Sequence, residues 1–170
     1  NADWYFWKDG QCEKKRKLNL PHDAMQEETR QPDLPKGSGS GFFPGGKYWY
    51  EKAICPDESW AGKTVILEFE GVYMNASVLL NGEKVGGWVY GYTNFYVDLT
   101  GKLKIGQENT ITVIADNSLQ PNSRWYSGSG IYRNVNLLVG GDVHIVPNGV
   151  RFTTKEISAE GAIVEVETTF

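Results

Sequence analysis

Apolar and polar residues alternate along much of the chain after residue 46, in short runs separated by turn residues. In the run 64–69, for example, Val65, Leu67 and Phe69 fall on one face. A period of two is typical of a β-strand with one buried face. Runs of this kind occupy residues 47–54, 64–69, 77–80, 95–99, 111–115 and 135–139. Short strands at this spacing predict an antiparallel β-sandwich.

Turn signals agree with the all-β interpretation. Asn81-Gly82 directly follows the run 77–80 and predicts a two-residue hairpin turn. No stretch shows a sustained apolar period of 3.6 residues, which a helix would require. The best helical candidate is a single turn at 100–103, with Asp98 or Thr100 as its cap.

Residues 1–46 are predicted to be irregular. Four prolines interrupt regular pairing there: Pro21, Pro32, Pro35 and Pro44. The sequence Gly-Ser-Gly-Ser-Gly at 37–41 indicates a flexible loop. A long coil usually wraps the surface of a domain or serves its function. The start of this segment is expected to pack against the core through Trp4, Phe6 and Trp7.

The last 30 residues differ from the rest. Gly140-Gly141 and Pro147-Asn148-Gly149 interrupt the chain, and one more alternating run follows at 161–168. A strand there either adds to the first sandwich or begins a second domain that the chain truncates. A length of 170 residues accommodates one domain and part of another.

The net charge argues against two classes of binding partner. The formal net charge is −4 and the isoelectric point is about 5.2, so neither nucleic acid nor an anionic membrane is an expected partner. The basic run 14–17 is interpreted as a solvated segment. No apolar run approaches ~18 residues and no signal peptide is visible. A cytoplasmic location is expected, with a periplasmic or secreted one as the alternative. Asn1-Ala2 looks like a tag remnant, so the native start is expected to be missing.

Two cysteines and two histidines show no metal-ligand spacing and no disulfide framework, so neither a metal nor a cofactor is predicted. Aromatic residues make up 13% of the chain, with six Trp and nine Tyr. They suit the packing of a sandwich, and they are also the residues with which proteins grip sugar rings.

Several motifs occur in a characteristic order. They are Leu20-Pro21-His22-Asp23, Gly45–Lys52 (GGKYWYEK), Phe69–Ala76 (FEGVYMNA), Leu80-Asn81-Gly82, Tyr92-Thr93-Asn94-Phe95, Glu108-Asn109-Thr110 and Arg124–Val135 (RWYSGSGIYRNV). In this order the chain resembles the N-terminal sugar-binding domain of family 2 glycoside hydrolases, the β-galactosidase, β-glucuronidase and β-mannosidase group. The resemblance covers roughly residues 4–140 and is most specific in the last motif.

The resemblance implies a jelly-roll sandwich of the galactose-binding-like type over residues 1–142. Residues 143–170 are then the first strands of an immunoglobulin-like sandwich, and the catalytic (β/α)8 barrel is absent. Hydrolysis with retention needs two carboxylates about 5 Å apart. In the family both are glutamates of the barrel, so no catalytic residue is predicted here. The fragment is expected to be inactive alone, whereas the intact parent hydrolyses O-glycosyl bonds.

In relatives, loops of this domain help to shape the sugar subsite, and the loop 117–132 is the best candidate here. Asn122 and Arg124 are predicted to hydrogen-bond sugar hydroxyls, and Trp125 or Tyr126 to stack on a sugar face. The alternative is that these two aromatic residues only cap the core. The larger β-galactosidases carry an acidic residue near the position of Arg124, so this chain departs from their pattern at this point.

Three further residues are interpreted structurally. Arg133 is assigned to an ion pair or to packing. In Leu20-Pro21-His22-Asp23, Asp23 is a second candidate for a functional role, and the favoured interpretation is that this motif orders the wrapping segment by hydrogen bonds.

Three hypotheses for function follow. The first is an accessory domain of a β-glycosidase, the second a stand-alone carbohydrate-binding module, and the third a purely structural sandwich. The expected substrate of the parent is a β-galactoside, with a β-glucuronide as the alternative. Enzymes of this group are usually oligomers, so a homo-oligomeric parent is also expected, with the remaining domains of its own chain as partners.

Overall fold

The computed structural model describes residues 1–35, 37–119 and 127–170, and it separates into two compact units, Asn1–Val139 and Gly140–Phe170. In chain order the strands are β1 (Trp4–Lys8), β2 (Arg16–Leu18), β3 (Lys47–Ile54), β4 (Thr64–Phe69), β5 (Val72–Tyr73), β6 (Ala76–Leu80), β7 (Glu83–Trp88), β8 (Phe95–Asp98), β9 (Asn109–Asp116), β10 (Gly130–Ile131), β11 (Val135–Gly140), β12 (Val150–Ser158) and β13 (Gly161–Thr168).

Antiparallel sheets build the first unit. The larger sheet has six strands in the order β2-β1-β3-β9-β6-β7, and a three-stranded sheet has the order β11-β4-β8. Strands β5 and β10 form a third, short pair. Pairing of β3 with β9 is continuous from Lys47↔Asp116 to Ile54↔Asn109. Four short 3-10 segments, and no α-helix, occur among the described residues. The predicted all-β sandwich is confirmed.

The core lies between the sheets and takes alternate residues from strands such as β4, β6 and β9. Phe69 on β4, Val78 on β6 and Val113 on β9 are each 0% exposed. The ring of Phe69 stacks on that of Phe95, with 4.7 Å between centroids. Burying a side chain of this size stabilises the fold by about 1.5–3 kcal/mol. The period of two therefore identified the inward-facing side of the long strands correctly.

The prediction of an irregular segment over residues 1–46 is wrong at its start. Strand β1 pairs with β3 and with β2, so the N-terminal residues extend the larger sheet. Trp4 and Phe6 are buried while Tyr5 is exposed, which is the alternation of a half-buried strand. The proline argument applies only from Pro21 onward, after both strands have ended.

Two smaller predictions have opposite outcomes. Asn81 and Gly82 join β6 to β7 with φ values of 52° and 88°, as a two-residue hairpin turn requires, so that prediction is confirmed. The segment 100–103 forms turns and no helix. There Asp98 Oδ1 accepts a bond from Thr100 N at 2.8 Å, which closes a turn but starts no helical segment.

The second unit contains one antiparallel hairpin, β12 with β13, which has a register shift between Thr154 and Glu156. One face of the hairpin is apolar and exposed; it carries Val150, Phe152, Ile157, Val164 and Val166. The other face carries the ion pairs Arg151–Glu167 and Lys155–Glu165. A hairpin with one apolar face is marginal alone. That this unit begins an immunoglobulin-like sandwich stays a prediction.

Candidate functional site

The candidate site is the loop that leaves β9 at Asn117 and returns to β10. The four predicted sugar-contacting residues, Asn122, Arg124, Trp125 and Tyr126, lie outside the described residues, so their roles stay predictions. The structure does describe both ends of the loop, residues 117–119 and 127–132. We call residues 117–119 the first stem and residues 127–132 the second stem.

The first stem is fixed by Asn117, which is 2% exposed. Its backbone pairs in both directions with Gly46: Asn117 N donates to Gly46 O at 2.8 Å, and Gly46 N donates to Asn117 O at 3.2 Å. Its side chain then reaches the second stem, because Nδ2 donates to Ser129 Oγ at 2.8 Å. A buried amide that satisfies a buried hydroxyl holds the two stems together.

The second stem is fixed by the segment 22–25. Asp23 Oδ1 accepts bonds from Met25 N at 3.0 Å and from Ser129 N at 2.8 Å. On either side, His22 N donates to Ile131 O and Ala24 N donates to Ser129 O, each at 2.8 Å. The motif that contains Asp23 therefore orders this part of the chain by hydrogen bonds, as the sequence suggested.

Two glycines allow this close approach. A Cβ added at Gly128 would lie 2.7 Å from Asp23 Oδ2, and one added at Gly130 would overlap the hydroxyl of Tyr50. Gly130 also has a φ of 109°, a conformation that side-chain-bearing residues rarely adopt. The Gly-Ser-Gly sequence of the most specific motif thus places main chain directly against Asp23 and Tyr50.

A cluster of aromatic residues lies beside the second stem. Tyr90 and Tyr92 are 55% and 57% exposed and make an edge-to-face contact with 5.6 Å between centroids. Tyr92 Oη lies 3.4 Å from Ser127 Oγ, and Tyr132 Oη donates to Gly91 O at 2.6 Å. Tyr90 and Tyr92, here called the tyrosine pair, are candidate sugar-contacting residues that the sequence interpretation missed. The signal for them was the run of aromatics and glycines at 88–92.

Two titratable groups near the stems, Asp116 and Tyr50, have shifted pKa values. Partial burial opposes ionisation of Asp116, but hydrogen bonds from Ser118 and the charge of Lys47 outweigh it and lower the pKa of this carboxyl. Burial raises the pKa of Tyr50 far above its usual range, so its hydroxyl stays protonated beside His22 Nδ1, 2.8 Å away. Glu27 binds His22 Nε2 at 2.9 Å and also pairs with Arg16.

Glu27 has a lowered pKa. Its partial burial opposes ionisation, but the bonds from Arg16 and His22 prevail. A carboxyl that serves as a catalytic acid needs the opposite shift, toward a raised pKa. Glu27 therefore has the properties of a structural carboxylate.

The described residues contain neither a metal-binding cluster nor a membrane-spanning helix. Within residues 1–35, 37–119 and 127–170, no group of three or more His, Cys, Asp or Glu side chains could hold a metal ion. No helix in the same part of the chain is long and apolar enough to cross a membrane.

Curated relatives of this chain are glycoside hydrolases. A β-galactosidase of Bacteroides ovatus, BoGH2A, is 45% identical over 154 residues, which is 91% of this chain and 18% of that protein. A putative β-glucuronidase of Formosa agariphila is 37% identical over 150 residues, covering 88% of this chain and 14% of that protein. The chain thus spans about a fifth or less of these relatives.

Solved structures give the same result. A crystal structure of a β-glycosidase from Bacteroides vulgatus matches with a TM-score of 0.84 and 36% identity, over 99% of this chain and 24% of that one. The family model described as glycosyl hydrolase 2 galactose-binding domain-like matches residues 42–146, which is more than half of the chain. The chain therefore belongs to the galactose-binding domain-like family of glycosyl hydrolase 2.

Proposed function

We propose that this chain is the non-catalytic N-terminal domain of a retaining β-glycosidase, and that its loop 117–132 helps to shape the sugar subsite of the complete enzyme. The single observation that carries the proposal is the loop's anchorage. Asn117 and Asp23 hold the two stems by hydrogen bonds, so the loop begins and ends on main chain that is fixed in place. Loops positioned in this way are where proteins most often place binding residues.

The tyrosine pair supports the same assignment. Two half-exposed phenol rings beside the stem offer apolar faces to sugar C–H groups and hydroxyls to sugar oxygens. Arg124 and Asn122, on the loop itself, would supply donors to hydroxyls, and Trp125 or Tyr126 a further ring. The chemistry stays on two carboxylates outside this chain.

A β-galactoside is the substrate class proposed for the complete enzyme. The relative named a β-galactosidase is 45% identical to this chain, against 37% for the one named a putative β-glucuronidase. A β-glucuronide is the second candidate, because relatives with that name match over a comparable share of the chain.

The second unit supports a longer chain. Its hairpin exposes five apolar side chains on one face and carries ion pairs on the other. This pattern is typical of strands whose apolar face packs against a second sheet. We assign it to the start of an immunoglobulin-like sandwich. A homo-oligomeric, cytoplasmic parent completes the proposal, and gel filtration and cell fractionation of the complete protein test these two points.

The decisive experiment starts with the complete gene that contains this sequence. The proposal requires the reading frame to continue for several hundred residues into a barrel with two glutamates. The encoded protein is then assayed on nitrophenyl β-galactoside and β-glucuronide. Activity on the galactoside supports the proposal, activity on the glucuronide alone supports the second candidate, and a frame that ends near Phe170 overturns both.

The loop is tested by Arg124→Ala, with Arg133→Ala as the matched control. Arg133 is exposed, and its guanidinium lies 5.7 Å from the ring centroid of Tyr132. Loss of charged hydrogen bonds to substrate predicts a fall of about tenfold or more in kcat/KM for Arg124→Ala. The control should stay within twofold. Equal effects of the two variants would contradict the loop's role, and millimolar sugar binding by the isolated chain would favour a binding module.

A further inference from the structure

We propose that Asp23 is a positioning residue for substrate binding: its carboxylate holds the second stem at Ser129 and thereby sets the affinity of the complete enzyme for its sugar, without contacting the sugar. This inference rests on the function proposed for the loop 117–132. It concerns a residue 106 positions away in sequence from the amide it holds.

One oxygen of the carboxylate joins two parts of the chain. Oδ1 accepts a bond from Met25 N, inside its own 3-10 turn, and a second bond from Ser129 N. The first bond is the ordinary capping of a short turn, and Asp23 is the cap residue of Ala24–Glu27. The second bond goes to the stem of the candidate loop, and turn formation does not require it.

Two backbone hydrogen bonds would still connect the segments if this bond were lost. His22 N to Ile131 O and Ala24 N to Ser129 O connect the same two segments through backbone atoms alone. Ser129 is 0% exposed, so its amide cannot turn to water when the carboxylate is removed. Truncation of Asp23 is therefore expected to loosen residues 127–129 while the sandwich stays folded.

The fit of the carboxylate against the stem is close. The ideal Cβ position of Gly128 lies 2.7 Å from Oδ2 and 2.8 Å from both Oδ1 and Cγ of Asp23. Only a residue without a side chain leaves room for the carboxylate at this point. Substituting Gly128 therefore disturbs the same contact from the opposite side, and its φ is not in the left-handed region, so no backbone strain is added.

A looser second stem is expected to lower the affinity for substrate, because the stem must be ordered when substrate binds. Residues 120–126, which contain the predicted sugar contacts, end directly before Ser127. A stem that is mobile in the free enzyme must be ordered when substrate binds, and that entropy is subtracted from the binding free energy. Chemistry on the barrel is untouched, so KM should rise while kcat stays the same.

The test compares Asp23→Ala, Asp23→Asn and Asp57→Ala in the complete enzyme. Asp57 is the matched control, because it also caps a 3-10 turn and its Oδ1 accepts from Ser59 N, within that turn. Asp23→Ala should raise KM about tenfold with kcat within twofold. Asp23→Asn should recover most of the affinity, since an amide oxygen still accepts both N–H bonds. Asp57→Ala should leave KM unchanged.

Hydrogen exchange on the 170-residue chain gives a readout that is independent of activity. Asp23→Ala should speed exchange of the Ser129 amide at least tenfold and leave the amides of β9 unchanged. If that variant does not fold, Gly128→Ala serves in its place, with Gly140→Ala as the control, where an added Cβ has its nearest neighbour at 3.9 Å.

Three results would overturn the inference. They are an unchanged Ser129 exchange rate, a KM rise no larger than that of Asp57→Ala, and failure of Asp23→Asn to recover affinity, which would mean that the negative charge itself matters. Failure of the proposed function looks different. The wild-type complete protein would then hydrolyse neither glycoside, and the exchange experiment alone would decide the role of Asp23.

Discussion

Replacing Gly130 with alanine tests whether the second stem is as tightly fitted as the structure shows. The added Cβ would overlap the hydroxyl oxygen of Tyr50 and lie 2.9 Å from Cζ, where carbon atoms normally keep about 3.5 Å. Tyr50 is 0% exposed and its hydroxyl lies 2.8 Å from His22 Nδ1, so the ring has nowhere to move. The main chain at residue 130 must therefore shift instead.

The magnitude follows from two contributions. The φ of 109° places alanine in a region that costs about 1–3 kcal/mol. Overpacking against a fixed ring adds about 1–3 kcal/mol. The variant should lose about 2–6 kcal/mol of unfolding free energy, which for a chain of this length lowers Tm by about 5–20 °C.

Thermal and urea unfolding of the 170-residue chain, followed by tryptophan fluorescence, measure this loss. Gly101→Ala is the control: its φ is 70°, but an added Cβ meets nothing within 4 Å. The control should lose only about 1–2 kcal/mol, from backbone strain alone. Equal losses in the two variants would refute the argument that Tyr50 fixes the stem.

Three more predictions concern the stems and the hairpin. Asn117→Ala removes the donor to buried Ser129 and should cost about 1–3 kcal/mol in urea unfolding, whereas exposed Asn134→Ala should stay within about 0.5 kcal/mol; similar losses would contradict the link between stems. Because the folded pKa of Asp116 is depressed, its stabilisation is present above the unfolded pKa of about 4 and lost as pH falls through the folded value, so Asp116→Asn should flatten the decline of stability below about pH 4; an unchanged slope would contradict this. Phe152→Lys with Val166→Lys should reduce self-association of the chain in light scattering, whereas Arg151→Ser on the charged face should not.

The long strands could be predicted from the sequence because each has enough residues for the alternation of apolar and polar positions to be recognised. Strands β3, β4 and β9 have six to eight residues, and their buried positions repeat every second residue. Strand β5 and strand β10 have two residues each, which is too short for any period. Strand β1 was missed because its five residues, WYFWK, are dominated by aromatics, and the prolines farther on made the whole segment look irregular.

The contacts around the candidate loop could be predicted only in part. The specific motif at 124–135 contains Gly128 and Gly130, whose lack of a side chain allows the close approach to Asp23 and Tyr50. The bond from Ser129 N to Asp23 spans 106 residues, and no local pattern encodes such a pair. The tyrosine pair was hidden for another reason: aromatic residues are so frequent in this chain that exposed ones cannot be told from buried ones before folding.

The anchorage of the stems has a consequence for how this domain can change. Asp23, Gly46, Asn117 and Ser129 make several of the bonds that hold the loop ends, and none of these four residues lies within residues 120–126. The seven residues between the stems can be exchanged without removing any of these bonds. Grafting the corresponding segment from a relative with another named activity is therefore a route to altered sugar preference that retains these bonds between the stems and the rest of the domain.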